Sequence, residues 1–93
     1  MPQQQRCELT CAAIHYDFWL AWLLEHHSGI IDVTPIQRYG LSPEHLSRRE
    51  QVMGFAHYYR FSLTLTAEKA WQLQHTVHQQ AHPIEVSLLN VHG

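Results

Sequence analysis

The sequence predicts an α+β domain of βαββαβ order: a four-stranded antiparallel sheet, two helices on one face, and a long loop between strands 2 and 3. Three observations predict it. Residues 6–14 and 57–65 alternate apolar and polar side chains with the period of two of a half-buried strand. Residues 18–24 and 67–81 carry apolar side chains at helical spacing. Each helical segment lies between two strand segments, so both crossovers run through helices and one face carries both.

Residues 1–5 are polar and read as a flexible lead, so the domain is expected over 6–93. In the first strand Cys7, Leu9, Cys11 and Ala13 fall on one face, and Glu8, Thr10, Ala12 and Ile14 on the other. Asp17 stands where a helix cap is expected. Phe18, Trp19, Leu20, Trp22, Leu23 and Leu24 follow as a stripe too continuous for a strand face. Ser28-Gly29 closes this helix, with Gly29 suited to the left-handed position after a helix. Residues 30–36 read as the second strand. Pro35 places it at an edge or near its end, because proline has no N–H to give to a central ladder.

The long irregular piece spans 37–53. Within it Ser42 opens a short helical turn, with Pro43 at its first position and His45 following. Residues 57–65 are the clearest strand: Tyr59, Phe61, Leu63 and Leu65 alternate with Tyr58, Arg60, Ser62 and Thr64. Thr66 caps a helix running to about residue 81, with Glu68 in its first turn. Its inner stripe is expected to be Ala67, Ala70, Trp71, Gln74, Val77 and Ala81, with Leu73 at the margin. Pro83 disfavours helix at His82, and residues 84–91 form the last strand. This is the ferredoxin-like plan. It leaves Thr10, Ala12, Ser62, Thr64, Glu85 and Ser87 on the face away from the helices, small and polar enough for solvent or a neighbour's sheet.

Composition narrows the function. The 93 residues suit one core. Six Lys+Arg against eight Asp+Glu argue against a dedicated nucleic-acid or anionic-membrane surface, which needs clustered positive charge. No apolar run reaches the roughly 18 residues of a membrane span. The polar N-terminus has no signal-peptide core, so a cytoplasmic protein is expected. Nine histidines are the unusual count, and imidazole is both a metal ligand and a proton switch.

The stretch GIIDVTPIQRYG from Gly29, followed by LSRREQVMGFAHYYRFSLTL, resembles the PII-like signalling superfamily, where strand 2 leads into a long loop and back into strand 3. Glu50-Gln51-Val52-Met53-Gly54 is similar to the end of that loop, where an acidic residue and then a glycine precede strand 3. The chain resembles in particular a small PII-like family encoded beside heavy-metal RND efflux pumps. The resemblance covers residues 6–91 in plan and about 30–65 in residues. It implies a homotrimer with a central cavity, ligand sites between subunits, and a loop that reports occupancy to a partner. Members sense small molecules or metals rather than catalyse. Nucleotide-binding members carry a glycine-rich basic loop before strand 4, where this sequence has His82-Pro83. Phosphates need backbone N–H nests or cations, so no nucleotide is expected, with Arg38 and Lys69 as the residual phosphate contacts.

Cys7 and Cys11 have the spacing of a ligand pair, but on a strand they stand about 13 Å apart. They can share neither an ion nor a disulfide and are expected to be buried thiols. His75, His78 and His82 have i, i+3, i+7 spacing and are the candidate ligands for Zn²⁺, Cu²⁺, Co²⁺ or Ni²⁺. The alternative is a solvated helix face rich in Gln and His. His26 and His27 with Glu25 form a looser cluster, of which one imidazole at most can join a given site.

Arg38, Tyr39, His45, Arg48, Arg49 and Glu50 are the candidate partner contacts, since Arg and Tyr are favoured anchors and long loops carry function. No nucleophile motif or carboxylate pair supports catalysis. A rival is an RNA-recognition motif, partly mimicked by the aromatic run from Gly54 to Phe61. Met53 replaces its leading basic residue, and strand 1 offers no stacking aromatic. A ligand-free structural adaptor is the other alternative. The reading that results is a non-enzymatic sensor, with a transition-metal ion as ligand and residues 37–54 signalling to a partner such as an efflux pump.

Overall fold

The computed structural model describes residues 4–90, the side chain of Asn90 excepted. Four strands, β1 (Gln4–Ala12), β2 (Asp32–Arg38), β3 (Ala56–Thr66) and β4 (Glu85–Asn90), form one antiparallel sheet in the order β2-β3-β1-β4. Helices α1 (Tyr16–His26) and α3 (Ala67–Val77) are the two crossovers, and a short α2 (Arg48–Met53) lies in the β2–β3 connection. No described helix is long and apolar enough to cross a membrane. The ferredoxin-like plan is therefore present, with β2 at an edge where Pro35 is tolerated opposite Tyr59.

The core lies between the sheet and the two crossover helices. Cys7, Leu9 and Cys11 of β1 and Phe61, Leu63 and Leu65 of β3 are buried under Trp19, Trp22 and Leu23 of α1 and Ala70, Leu73 and Val77 of α3. Trp19 is wholly buried, yet its Nε1–H donates to the Pro83 carbonyl at 3.3 Å. A buried indole needs such an acceptor, and this one ties α1 to the approach to β4. Tyr16 lays its ring on Tyr59 at 4.4 Å and parallel to Phe61 at 5.6 Å.

Several boundaries differ from expectation for physical reasons. β1 begins at Gln4, inside the polar lead, because both Gln4 and Gln5 find ladder partners, Thr66 and Leu65, on β3. Residues 1–3 lie outside the described residues. α1 is entered through a 3₁₀ turn (Ala13–His15), so His15 occupies the cap position without a side-chain bond and Asp17 falls in the first turn. Gly29 is not left-handed: α1 ends as His27 turns extended.

The Thr66 cap is present, its Oγ1 accepting from Lys69 N–H at 3.3 Å. α3 nonetheless stops at Val77, and its buried stripe is Ala70, Leu73 and Val77. Trp71 is 60% exposed. Adjacent helical residues point about 100° apart, so seating Ala70 on the sheet turns Trp71 out and draws Leu73 in. Val91, the expected end of the last strand, lies outside the described residues.

The face away from the helices carries the six small or polar residues expected there, as the register shows by setting Glu8 opposite both Ser62 and Ser87, and Thr10 opposite both Arg60 and Glu85. It also carries long charged side chains. Glu8 lies between Arg6, at 3.6 Å, and Arg60, at 3.2 Å, and Arg60 Nε donates to Thr10 Oγ1 at 3.2 Å. The face is a lattice of paired charges that screens Thr10 and Ser62 from water.

Both cysteines are free, and burial raises each thiol to about 11, with the Glu8 carboxylate adding to the effect at Cys7. A thiol reacts as its thiolate. Alkylation by iodoacetamide at pH 8 is therefore expected to be at least about 100-fold slower in the native protein than in denaturant. Equal rates, read by mass spectrometry, would show that the core opens readily.

Candidate functional site

The connection from β2 to β3 is built by polar contacts rather than by a core: none of residues 39–55 is buried. Gly40 and Gly54 mark its two ends with left-handed φ values of +85° and +82°. Neither has an atom within 4 Å of where a Cβ would sit, so backbone conformation alone calls for glycine there. Pro43 opens the expected short turn (Pro43–His45), with His45 N–H bonded to the Ser42 carbonyl at 2.9 Å. Ser47 then caps α2 reciprocally. Its Oγ accepts from Glu50 N–H at 3.2 Å, and Glu50 Oε1 accepts from Ser47 N–H at 3.1 Å. Gln51 Nε2 donates to the carbonyls of Pro43 and Leu46 at 2.9 and 3.2 Å, joining the turn to the helix.

The second oxygen of Glu50 reaches further. Oε2 accepts from His57 N–H at 2.7 Å, so one carboxylate joins the start of α2 to the second residue of β3. The His57 and Ser47 N–H groups, in that order, hold the Glu50 carboxyl below its ordinary value. Arg38 also has an internal partner. It extends over the open face of the sheet, with Nη1 and Nη2 on the Glu85 carboxylate at 2.5 and 3.2 Å and its guanidinium 4.2 Å above the Tyr58 ring.

Of the six expected partner contacts, Arg38 and Glu50 thus hold the loop and the sheet. Tyr39, His45, Arg48 and Arg49 are exposed. Tyr39 is steadied by a ladder of rings, 5.3 Å to Phe55 and then 5.0 Å on to His57. Val52 joins them at 89% exposure. It lies one turn from Arg48 and Arg49, a position the sequence discloses once α2 is recognised. Beneath the loop a groove of about 610 Å³ runs between Ile14, Met53, Tyr58 and Tyr59, with His45, Arg49 and His57 at its polar edge. Its size falls in the range of small-ligand sites.

The three expected metal ligands are not brought together within the chain. α3 ends at Val77, so the i, i+7 relation to His82 is lost. His75 lies against Trp71 at 4.1 Å. His82 stacks flat on Phe18 at 3.8 Å, edge-on to His15 at 5.3 Å, with a buried Nδ1 that has no partner among the described residues. His26 stacks on Trp22 at 4.1 Å and donates Nδ1–H to its carbonyl at 2.7 Å. Among the described residues no group of three or more His, Cys, Asp or Glu is placed to hold a metal ion. For His26 and His75 the signal for a ring contact is a tryptophan four positions earlier, Trp22 and Trp71, on the same helical face.

The whole described fold superposes on solved structures. A putative PII-like signalling protein from Thermus thermophilus matches with a TM-score of 0.68 over 97% of this chain and 88% of that one, at 10% identity. The fold is that of the PII-like proteins. A DUF3240 family protein from Shewanella baltica matches with a TM-score of 0.71 over 100% of this chain and 94% of that one, at 14% identity. The nitrogen regulatory PII-like protein CPII from Thiomonas intermedia, bound to ADP, AMP and bicarbonate, matches with a TM-score of 0.66 over 95% and 91%, at 12% identity. No protein-family model matches the sequence, and no curated protein matches it.

Because folding lowers the Glu50 pKa, its contribution is present above the ordinary carboxylate range and is lost as pH falls through the folded value. Protection of the His57 amide against hydrogen exchange should therefore fall on acidification below about pH 4. Glu50→Gln at neutral pH should speed that exchange about tenfold while leaving the β1–β3 amides unchanged. Unaltered protection at His57 would remove the carboxylate from its linking role. Gly54→Ala forces a side chain into the left-handed region and should destabilise the loop by about 1 kcal/mol, read as a lower barrier to its local opening.

Proposed function

We propose that this chain is a non-enzymatic regulatory protein of PII-like type. It assembles as a homotrimer, takes up a small ligand, and passes the bound state to a protein partner through residues 37–54. The observation that carries this reading is the double use of Glu50. One carboxylate holds both the loop helix and the start of β3, and the groove beneath is lined by residues of both. A ligand entering there meets Met53, His57 and Arg49 together, and any adjustment of this unit moves the exposed Tyr39, Arg48, Arg49 and Val52.

Small anions are found in proteins of this fold: PII of Arabidopsis thaliana is bound to citrate, and CPII carries bicarbonate with its nucleotides. The segment before β4 in this chain has no glycine, lysine or arginine, which disfavours a nucleotide held by its phosphates. The histidine content and the family resemblance favour a transition-metal ion, Zn²⁺, Cu²⁺, Co²⁺ or Ni²⁺. His75 and His78 are both exposed, and in this reading they supply two imidazoles while a neighbouring subunit, His82 or water completes the set. The partner the resemblance suggests is a heavy-metal efflux system. An RNA-binding role is disfavoured by the sheet, since Tyr59 and Phe61 face the helices and Tyr58 lies under Arg38.

Light scattering at micromolar concentration should give three times the chain mass, and a monomer would remove every site between subunits. Calorimetry with the four ions at neutral pH should show binding by at least one. His75→Ala with His78→Ala should weaken it at least about tenfold, whereas Cys7→Ala with Cys11→Ala should not. If none binds, the metal reading falls. Titration with citrate or bicarbonate, with Arg49→Ala as control, then tests the groove.

A further inference from the structure

The loop-base groove is not the only concavity. At the other end of β3, about 33 Å along the strand from Ala56, a second groove of about 490 Å³ opens between α1 and α3. Its floor is apolar: Trp22, Leu65 and Leu73, each under a tenth exposed. His26 extends that floor, because the bond from Nδ1–H to the Trp22 carbonyl fixes its ring nearly parallel to the indole, at 14°.

The rim is electrostatically one-sided. Lys69, the only lysine in the sequence, lines the groove with His26 and His27, and no described Asp or Glu does. Glu25 and Glu68 are chain neighbours of lining residues, yet neither lines it. No described carboxylate pairs with the Lys69 ammonium, whereas Arg6, Arg38 and Arg60 are all engaged by carboxylates. A net charge of −2 makes this local absence of acid a property of the place and not of the composition. The amide of Gln72 and the hydroxyls of Thr64 and Thr76 add neutral polar contacts.

An aromatic floor, a lone ammonium and a small-molecule volume define the occupant. We propose that the α1–α3 groove binds a small organic anion with a flat apolar body, its charge on Lys69 and its body over Trp22 and His26. The site is separate from the loop and does not depend on the reading given above. It lies at the end of β3 remote from residues 39–55.

The test uses two probes of like shape and different charge, 2-naphthoate and the neutral 2-naphthalenemethanol, titrated into the full chain and followed through the indole N–H signals of Trp19, Trp22 and Trp71. The expected result is a saturable shift centred on Trp22, with naphthoate bound at least about tenfold more tightly than the alcohol. Lys69→Gln, at an exposed position that leaves the core untouched, should erase that preference while the fold and the alcohol's affinity stay as they were. Equal affinities, shifts centred on Trp71, no saturation up to about 10 mM, or a preference that survives Lys69→Gln would each overturn the proposal.

Discussion

Cys7, Leu9 and Cys11 stand opposite Leu63, Phe61 and Tyr59 across the two central strands, and the rest of the molecule depends on that pairing. Side chains alternate faces along a strand, so a one-residue slip of β1 would carry Glu8 under the helices and Leu9 into the charged face, and a slip of β3 would do the same with Arg60 and Phe61. Few registers are so strongly excluded, because the error would bury charges and expose core together. With β1 and β3 fixed, β4 and β2 can only add to the outer edges, and the helices can only cover the apolar side. The position of Trp19, wholly buried and bonded to the Pro83 carbonyl, then settles where the chain re-enters the sheet.

The loop between β2 and β3 obeys a different physics. Its order comes from hydrogen bonds in water's reach: Ser47, Glu50 and Gln51 to backbone groups, with no apolar residue buried beneath them. Such contacts are individually modest, since water competes for each partner. The sheet is held by area that must be exposed all at once, whereas the loop is held by pieces that release one by one. A segment with that character can change state without disturbing the core, which is what a regulatory element requires. Arg38 belongs to both systems, leaving the last position of β2 to lie over Tyr58 and end on Glu85 of the far edge strand.

The sheet was legible in the sequence wherever alternation was strong, as in the runs around Leu9 and Phe61, and Pro35 correctly pointed to an edge. Thr66 and the Ser42-Pro43 turn were legible because caps and prolines act through local geometry. The helix α2 was legible in principle: Ser47 and Glu50 have the spacing of a capping box, a signal outweighed by the polar run around it. The rotation of α3 was not, because Trp71 and Leu73 compete for the same face and only the closeness of Ala70 to the sheet decides between them. The ring contacts of the histidines were hidden for a related reason. Spacing along a helix shows which side chains are neighbours, and an aromatic neighbour was available to His75 and His26 before any metal was considered. The charges on the open face, Arg6, Glu8 and Arg60, satisfy one another across strands, and such pairing needs the register.

Gly40 and Gly54 have one more consequence. The hydrogen bonds made by side chains between them join Pro43, Leu46, Ser47, Glu50 and Gln51 to one another, and among the described residues the reach of Glu50 to β3 is the one that leaves the segment. The two glycines act as the ends of a cassette. Recognition sequences of other lengths and chemistries can be seated between them while the register, the core and the α1–α3 groove remain as they are, because none of those uses a side chain from residues 41–53. A fold built in this way lets the loop change in length and composition while the frame persists.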